Sequence, residues 1–446
     1  MWDGLRVQRL DRPYLRRNGK LQPVTWDEAF RAIAERLRGL DGKRFAAIAG
    51  DLAAAEEMFA LKALAEQLGS PNIDCRQDGA KLDPALGRAT YLFNATVEGI
   101  EQADAVLLIG TNPRVEAPVL NARILKRFRQ MQGHLAIGLI GTQADLTYAH
   151  EHLGAGPETL AKLAGGTHPF LEKIKGAERP LVIVGQAALA RPDGAAVLAL
   201  AAKAAMAMGA VKPDLGWNGF SVLHTAAARV AGLDLGLMPG EQGRDVEAIL
   251  AGAEKGEIDV VYLLGADEID TQRLGNAFVI YQGSHGDRGA HRADVVLPGA
   301  AYTEKDAIYV NTEGRPQMTA RAVFPPGEAR EDWRILRALS GVLGQPLPFN
   351  SVSELRAKLF AACPYLALLD QVTPAASGAI GRLAAQDSGK TGRDRFGEAI
   401  SDFYLTNPIA RASAIMSIRS SKESLKLSQP QLPRLSRMDN LLKVHG

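Results

Sequence analysis

Along most of the chain, short uninterrupted apolar runs alternate with longer stretches in which apolar residues recur every three or four positions. The runs are 45–50, 104–110, 135–140, 181–185, 259–265, 278–281 and 294–297, and several of them end in glycine. A continuous apolar run is the pattern of a strand covered on both faces, as in a parallel sheet. The stretches between them, such as Ala53 to Leu68 ahead of Gly69 and Glu116 to Met131, have helical spacing. Strands alternating with helices predict an α/β, doubly wound parallel-sheet architecture.

Finer signals divide the chain further. Thr25-Trp26-Asp27-Glu28 has the form of a capping box, and Ala29, Ile33, Leu37 and Leu40 then share one helical face. Residues 1–25 ahead of it are polar and basic and predict an extended lead-in. Ala105 to Pro113 and Val260 to Glu268 each run from an apolar strand into a polar loop. They predict equivalent edges of two related Rossmann-like lobes, about 40–150 and 175–345, within an α/β region spanning 26–370. Residues 371–395 are rich in Gly, Ala, Ser, Thr and Asp and predict a linker, opening a segment that runs to 416. Residues 417–446 are Ser-rich and basic and predict a divergent, mobile tail.

Composition narrows the function classes. Lys plus Arg number 52 against 50 Asp plus Glu, which lacks the basic excess of a nucleic-acid binder. No apolar span reaches the ~20 residues of a membrane helix. The nearest, Ala195 to Ala210, is broken by Lys203 and ended by Gly209, so a packed helix is expected. The opening Met-Trp-Asp-Gly-Leu-Arg lacks the apolar core of a secretory signal, so an intracellular location is expected, with any membrane reached through a partner. The cysteines, Cys75 and Cys363, are too few for a disulfide scaffold or for an all-thiolate iron–sulfur or zinc site.

Several local motifs can be read as chemistry or as plain structure. Gly110-Thr111-Asn112-Pro113-Arg114 follows a strand and precedes a helix, where ligands and anions bind in open α/β sheets. It lacks the GxGxxG fingerprint, so a structural turn competes with a nucleotide-phosphate pocket. Ser388-Gly-Lys-Thr391 looks like the end of a phosphate-binding loop, but Ala384 stands where that loop needs glycine. His285 and His291 bracket a glycine-rich turn, where Asp287 and Arg288 fit backbone bonding better than a metal. His150 and His152 fit a surface connection. Thr312-Glu313-Gly314-Arg315 could recognise a ligand or pin a loop by a charge-assisted pair.

The run from Tyr281 to Lys305, with Tyr309 to Gln317 and Phe324 to Trp333, closely resembles the G-subunit family of NADH–quinone oxidoreductase, the respiratory complex I family. The shorter pattern Ala-Asp-Val-Val-Leu-Pro followed by Asn-Thr-Glu-Gly-Arg is shared with molybdopterin oxidoreductases at large. Trp2 to Tyr14, Asp74 to Asp83, Trp217 to His224 and Phe403 to Ser413 extend the resemblance over about residues 2–416. It implies a molybdopterin-oxidoreductase-like fold of two Rossmann-like lobes.

What the resemblance implies about function is a scaffold or assembly portion of the peripheral arm. That portion would support electron transfer from NADH to quinone without its own redox centre. Family members carry an N-terminal region of cysteine-ligated iron–sulfur clusters that has no counterpart here. A truncated or split gene, or a separately encoded iron–sulfur partner, would account for that. No catalytic residue, metal ligand or cofactor is therefore expected in this chain. Asp78 is the sole conceivable molybdenum ligand in the Asp74–Asp83 segment, and a salt bridge is the simpler role. A vestigial pocket is expected from Thr111, Asn112, Arg114, His285, Thr312, Glu313 and Arg315. Other peripheral-arm subunits are the expected partners, and the inner face of the plasma membrane the expected place. The alternative is an active molybdopterin-dependent oxidoreductase using the 111–114 and 312–315 loops as nucleotide clamps.

Overall fold

The apolar runs become the strands of two separate sheets in the computed structural model, which describes residues 2–428. The larger has seven strands in the order Lys20–Pro23, Tyr14–Arg17, Val295–Pro298, Phe278–Gly283, Val260–Leu264, Phe45–Ala49 and Asn72–Asp74. The smaller has five, in the order Phe220–Val222, Pro180–Val184, Ala105–Ile109, Ala136–Ile140 and Glu151–Gly154. All pairs are parallel except those of the N-terminal hairpin. Every residue of Phe45–Ala49, Ala105–Ile109, Pro180–Val184 and Val260–Leu264 is buried, as helices on both faces require.

The lobes are not consecutive in sequence. The chain lays down Phe45–Ala49 and Asn72–Asp74, leaves to build the whole smaller sheet, and returns at Val260 to pair with Phe45. Pro180–Val184, expected in the second lobe, pairs instead with Ala105–Ile109. Hydrophobic periodicity says that a segment is a buried strand, not which sheet it joins. The proposed correspondence shifts for the same reason. In each sheet the first-wound of the parallel strands, Phe45–Ala49 or Ala105–Ile109, lies between its successor and a strand that returns later. Val260–Leu264 therefore corresponds to Pro180–Val184, and neither it nor Ala105–Ile109 is an edge.

The lead-in is more ordered than its composition suggests. Tyr14–Arg17 and Lys20–Pro23 form a hairpin on the outer side of Val295–Pro298. The capping box is present: Glu28 N–H donates to Thr25 Oγ1 and Thr25 N–H to Glu28 Oε2, at 3.3 and 2.9 Å. The helix it starts, Trp26–Leu37, buries Ala29, Phe30, Ile33 and Leu37.

The predicted linker contains the helix Gly378–Ala385, whose Ala379, Ile380 and Leu383 are buried. It packs on the alanine-rich helix Gly194–Ala207, where small side chains allow close approach. The helix Ala414–Ser428 covers the start of the predicted tail, and residues 429–446 lie outside the described residues. Among the described residues no helix is long and apolar enough to cross a membrane.

Candidate functional site

Each sheet has a crossover point, where two neighbouring strands send their following helices to opposite sides, and ligands of open α/β sheets bind there. In the larger sheet it lies between Phe45–Ala49 and Val260–Leu264. Gly50 and Gly265 abut so closely that a Cβ on Gly50 would sit 1.8 Å from the Gly265 carbonyl oxygen. In the smaller sheet, a Cβ on Gly185 would sit 2.5 Å from the Gly110 carbonyl oxygen. Both crossover points open onto one cleft of about 750 Å3, lined by Asp51, Gln77 and Asp78 from one lobe and Glu116 and Gln186 from the other. Residues from Arg395 to Arg411 form its roof. A neighbouring cavity of about 540 Å3 shares Glu116, Glu398, Ile400 and Asp402 and reaches Thr111, Asn112 and Arg114.

The roof is tied down at both ends. Phe396 is buried, its N–H donates to the Ala155 carbonyl at 2.8 Å, and the Arg191 guanidinium lies over its ring. At the far end Arg411 pairs with Glu268 at 2.7 Å and Asp287 at 2.6 Å.

Electrostatics differ between the two crossover points. On the larger sheet burial, with Glu268 nearby, pushes Asp51 up to about 7 against the pull of Arg229. Burial likewise pushes Asp267 up to about 6, although it accepts from the Tyr281 hydroxyl at 2.7 Å and the Gly289 N–H at 2.9 Å. Burial raises Glu268 too, against its bonds to Arg411 and Gln77. Burial acts on Asp78 in the same direction, but the attraction of Arg229, 2.8 Å away, and the Ala80 N–H outweigh it and hold the carboxyl low.

On the smaller sheet Glu116 closes its own strand end. It accepts from the Asn112 N–H and the Thr111 hydroxyl, both at 2.7 Å. His224, beyond the strand Phe220–Val222, is pulled down to about 4 by burial and by Arg229. Its Nε2 lies 2.6 Å from the Tyr91 carbonyl and must carry the proton, since a carbonyl only accepts.

The structure separates the residues expected to form one pocket. Thr111, Asn112 and Arg114 stay together beside the cleft, with Arg114 exposed and paired with Asp145 at 2.7 Å. His285 is buried elsewhere: its Nε2–H donates to the Gly4 carbonyl at 2.9 Å and its Nδ1 accepts from Ser284 Oγ. Burial pulls it down to about 4, so it anchors the N-terminal segment as a neutral ring. Thr312, Glu313 and Arg315 occupy the turn between Ile308–Val310 and Pro316–Met318. The Thr312 carbonyl accepts from Phe93 N–H at 2.8 Å, and its hydroxyl donates to the Val222 carbonyl at 3.1 Å. Glu313 accepts from Val97 N–H at 2.7 Å and pairs with Arg315 at 3.0 Å. The turn thus clasps the smaller lobe. His150 and His152 bond the Tyr148 and Gly141 carbonyls, at 3.3 and 2.8 Å.

Sequence reasoning passed over Asp51, Gln77, Gln186 and Arg411. Asp51 and Gln186 each directly follow a glycine that ends an apolar run, the same signal that singled out Thr111. Gln77 and Arg411 carry no local signal of their own.

Comparison with known proteins places this geometry. The family model for Molybdopterin oxidoreductase matches residues 9–342, and that for the C-terminal part of the NADH-ubiquinone oxidoreductase G subunit matches residues 371–417. The second contains the roof. The chain is 42% identical over 417 residues to the mitochondrial NADH dehydrogenase (ubiquinone) iron-sulfur protein 1 of Solanum tuberosum, covering 93% of this chain and 54% of that protein. It is 39% identical over 415 residues to the NADH-quinone oxidoreductase G subunit of Rickettsia bellii, covering 93% and 58%. The chain thus spans a little over half the length of these relatives. Among solved structures, acetylene hydratase from Pelobacter acetylenicus aligns with a TM-score of 0.54 at 12% identity, covering 77% of this chain and 62% of that one. The formyltransferase/hydrolase complex of Methylorubrum extorquens aligns with a TM-score of 0.54 at 19% identity, covering 74% and 98%. At such identities the likeness is one of fold.

The fold family implies a phosphate-bearing pterin cofactor with a metal, which can be tested against the residues present. An anionic group at a strand end needs free N–H donors. Asn112 N–H and the Thr111 hydroxyl are taken by Glu116, and Gly289 N–H by Asp267. Asp78, the conceivable metal ligand, is held by Arg229. These three donors and Asp78 are thus already engaged by the chain's own groups.

Proposed function

Because this chain belongs to the molybdopterin oxidoreductase family, in its NADH–quinone oxidoreductase G-subunit branch, we propose that it is a scaffold of that enzyme's peripheral arm. It supports electron transfer from NADH to quinone and carries no redox centre of its own. The observation behind this reading is that the chain's own carboxylates, Glu116 and Asp267, take the donors that an anionic cofactor would use. Its surface then serves assembly: other peripheral-arm subunits are its partners, an iron–sulfur protein among them. Through them it is held at the cytoplasmic face of the plasma membrane.

Affinity purification from native membranes tests the proposal. Peripheral-arm subunits should co-purify, with molybdenum and tungsten absent at stoichiometric level by elemental analysis. A stable monomer without such partners, or one metal per chain, would sink it. The latter result would favour an active molybdopterin-dependent oxidoreductase.

A further inference from the structure

The cleft between the sheets is lined by three residues whose buried acceptor oxygens lack a donor among the described residues. Among the described residues Asp51 Oδ1, Gln77 Oε1 and Gln186 Oε1 are buried without a donor, and all three residues line the cavity of about 750 Å3. Gln77 and Gln186 are only 5% and 2% exposed, so these oxygens belong to an interior and not to a wetted surface. Neither amide can be turned round. Gln77 Nε2 donates to the Glu268 carboxylate at 2.8 Å and Gln186 Nε2 to the Leu223 carbonyl at 2.7 Å. A flipped amide would set oxygen against oxygen. Both side chains therefore hold an unpaired acceptor in the wall of the cleft.

The balance of charge leans the same way, with six carboxylates lining the cavity against four arginines, Arg191, Arg288, Arg395 and Arg411. Arg229 is engaged by Asp78, and Arg411 by Glu268 and Asp287, which leaves Asp51 with no ion pair among the described residues. A carboxylate with a buried, donorless oxygen, flanked by two amide oxygens, calls for a ligand that donates protons and brings positive charge.

We propose that this cleft binds a small organic cation with several N–H donors, of the alkylammonium or alkylguanidinium class, held by Asp51, Gln77 and Gln186. An extended ligand suits the site better than a single ion, because the acceptors come from both lobes across a wide cavity. Among the described residues no three His, Cys, Asp or Glu side chains are grouped to hold a metal. Ile400, Phe403 and Leu405 line the same cavity from the roof and offer apolar surface to a methylene chain. This binding stands apart from the assembly role and does not depend on it.

Calorimetric titration of the full chain with agmatine and with spermidine at pH 8, where Asp51 is ionised, and at low ionic strength tests the inference, with inorganic phosphate as the anionic comparison. Saturable one-to-one binding of at least one amine is expected, and none of phosphate. Asp51→Asn should weaken it about tenfold or more, because a charge-assisted contact is lost. Gln77→Met should weaken it less, and Glu35→Gln, on the exposed side of the first helix, should leave it unchanged. Failure of both amines to saturate, phosphate binding of equal strength, or unchanged affinity in Asp51→Asn overturns the inference. Melting curves report whether each variant folds. Should Asp51→Asn not fold, Gln77→Met makes the same comparison, and unchanged affinity there overturns the inference equally.

Discussion

The two crossover points share a geometry and differ in what fills them. Each is a glycine pair in backbone contact, Gly50 with Gly265 and Gly110 with Gly185, at the carboxyl end of fully buried parallel strands. The smaller sheet seals its end with a carboxylate from the following helical turn, Glu116, whose partners are the Asn112 N–H and the Thr111 hydroxyl. The larger sheet leaves Asp51 with a buried oxygen that has no donor among the described residues. One strand end is a completed cap and the other, once Asp51 is ionised, a demand for positive charge. Equivalent positions in a repeated architecture thus hold the same backbone to different electrostatic ends.

The shared part of the comparison breaks most easily at the glycines. Gly50→Ala and Gly185→Ala each place a Cβ inside van der Waals contact with backbone or a neighbouring side chain, the first 1.8 Å from the Gly265 oxygen. Each should cost about 3 kcal/mol in urea unfolding, the upper range for overpacking. Near-neutral results would mean that the strands part without penalty, and that the abutment is not what sets the cleft.

The differing part is next. Glu116→Ala removes the acceptor for a backbone N–H and a hydroxyl and should cost about 2 kcal/mol. Asp51→Asn at pH 8 should cost less than that or stabilise, since it removes a charge the fold disfavours. Equal losses in the two variants would erase the contrast.

A smaller effect lies in the pH profile. Asp51 and Asp267, at about 7 and about 6, hold protons in the folded chain where the unfolded chain has released them near 3.8. Their contribution is present at low pH and is lost as pH rises through those values. His224 on the smaller sheet, at about 4 against 6.5 unfolded, contributes stability above 6.5 that is lost as pH falls through 4. Melting temperatures from pH 4 to 8 should therefore lose their alkaline decline in Asp51→Asn and their acid decline in His224→Gln. If each variant flattens the other limb, the assignment is reversed. Smallest is the control Gly381→Ala, in the helix Gly378–Ala385 with nothing near the new methyl. It should gain about 0.5–1 kcal/mol, and a loss there would mean that glycine substitutions in this chain report more than local fit.

Much of the fold was legible because burial on both faces writes itself into a strand as an unbroken apolar run. Phe45–Ala49, Ala105–Ile109 and Val260–Leu264 are such runs, and the capping box at Thr25 is a local pattern between residues three apart. The site was legible only in part. Thr111 and Asn112 follow their strand directly and were found at a crossover point. His285 and the turn at Thr312 were grouped with them by chemical type, yet one anchors the N-terminal segment and the other clasps the smaller lobe. Nothing local distinguishes a histidine or a Glu-Gly-Arg turn that binds a ligand from one whose partners are backbone groups far along the chain, such as Gly4 or Val97.

By itself the sequence determined the alternation of buried strands and helices, the α/β class and the family, since each rests on local spacing or on contiguous motifs. Tertiary structure alone decided that the larger sheet opens before the smaller and closes after it. It also decided that Arg411 would reach back to Glu268 and Asp287, and that Asp51 would stand at the cleft without an ion pair among the described residues. Those outcomes depend on which of several chemically similar strands pair. Pairing is settled by the packing of the whole core, where segments more than two hundred residues apart, such as Phe45 and Val260, meet in register.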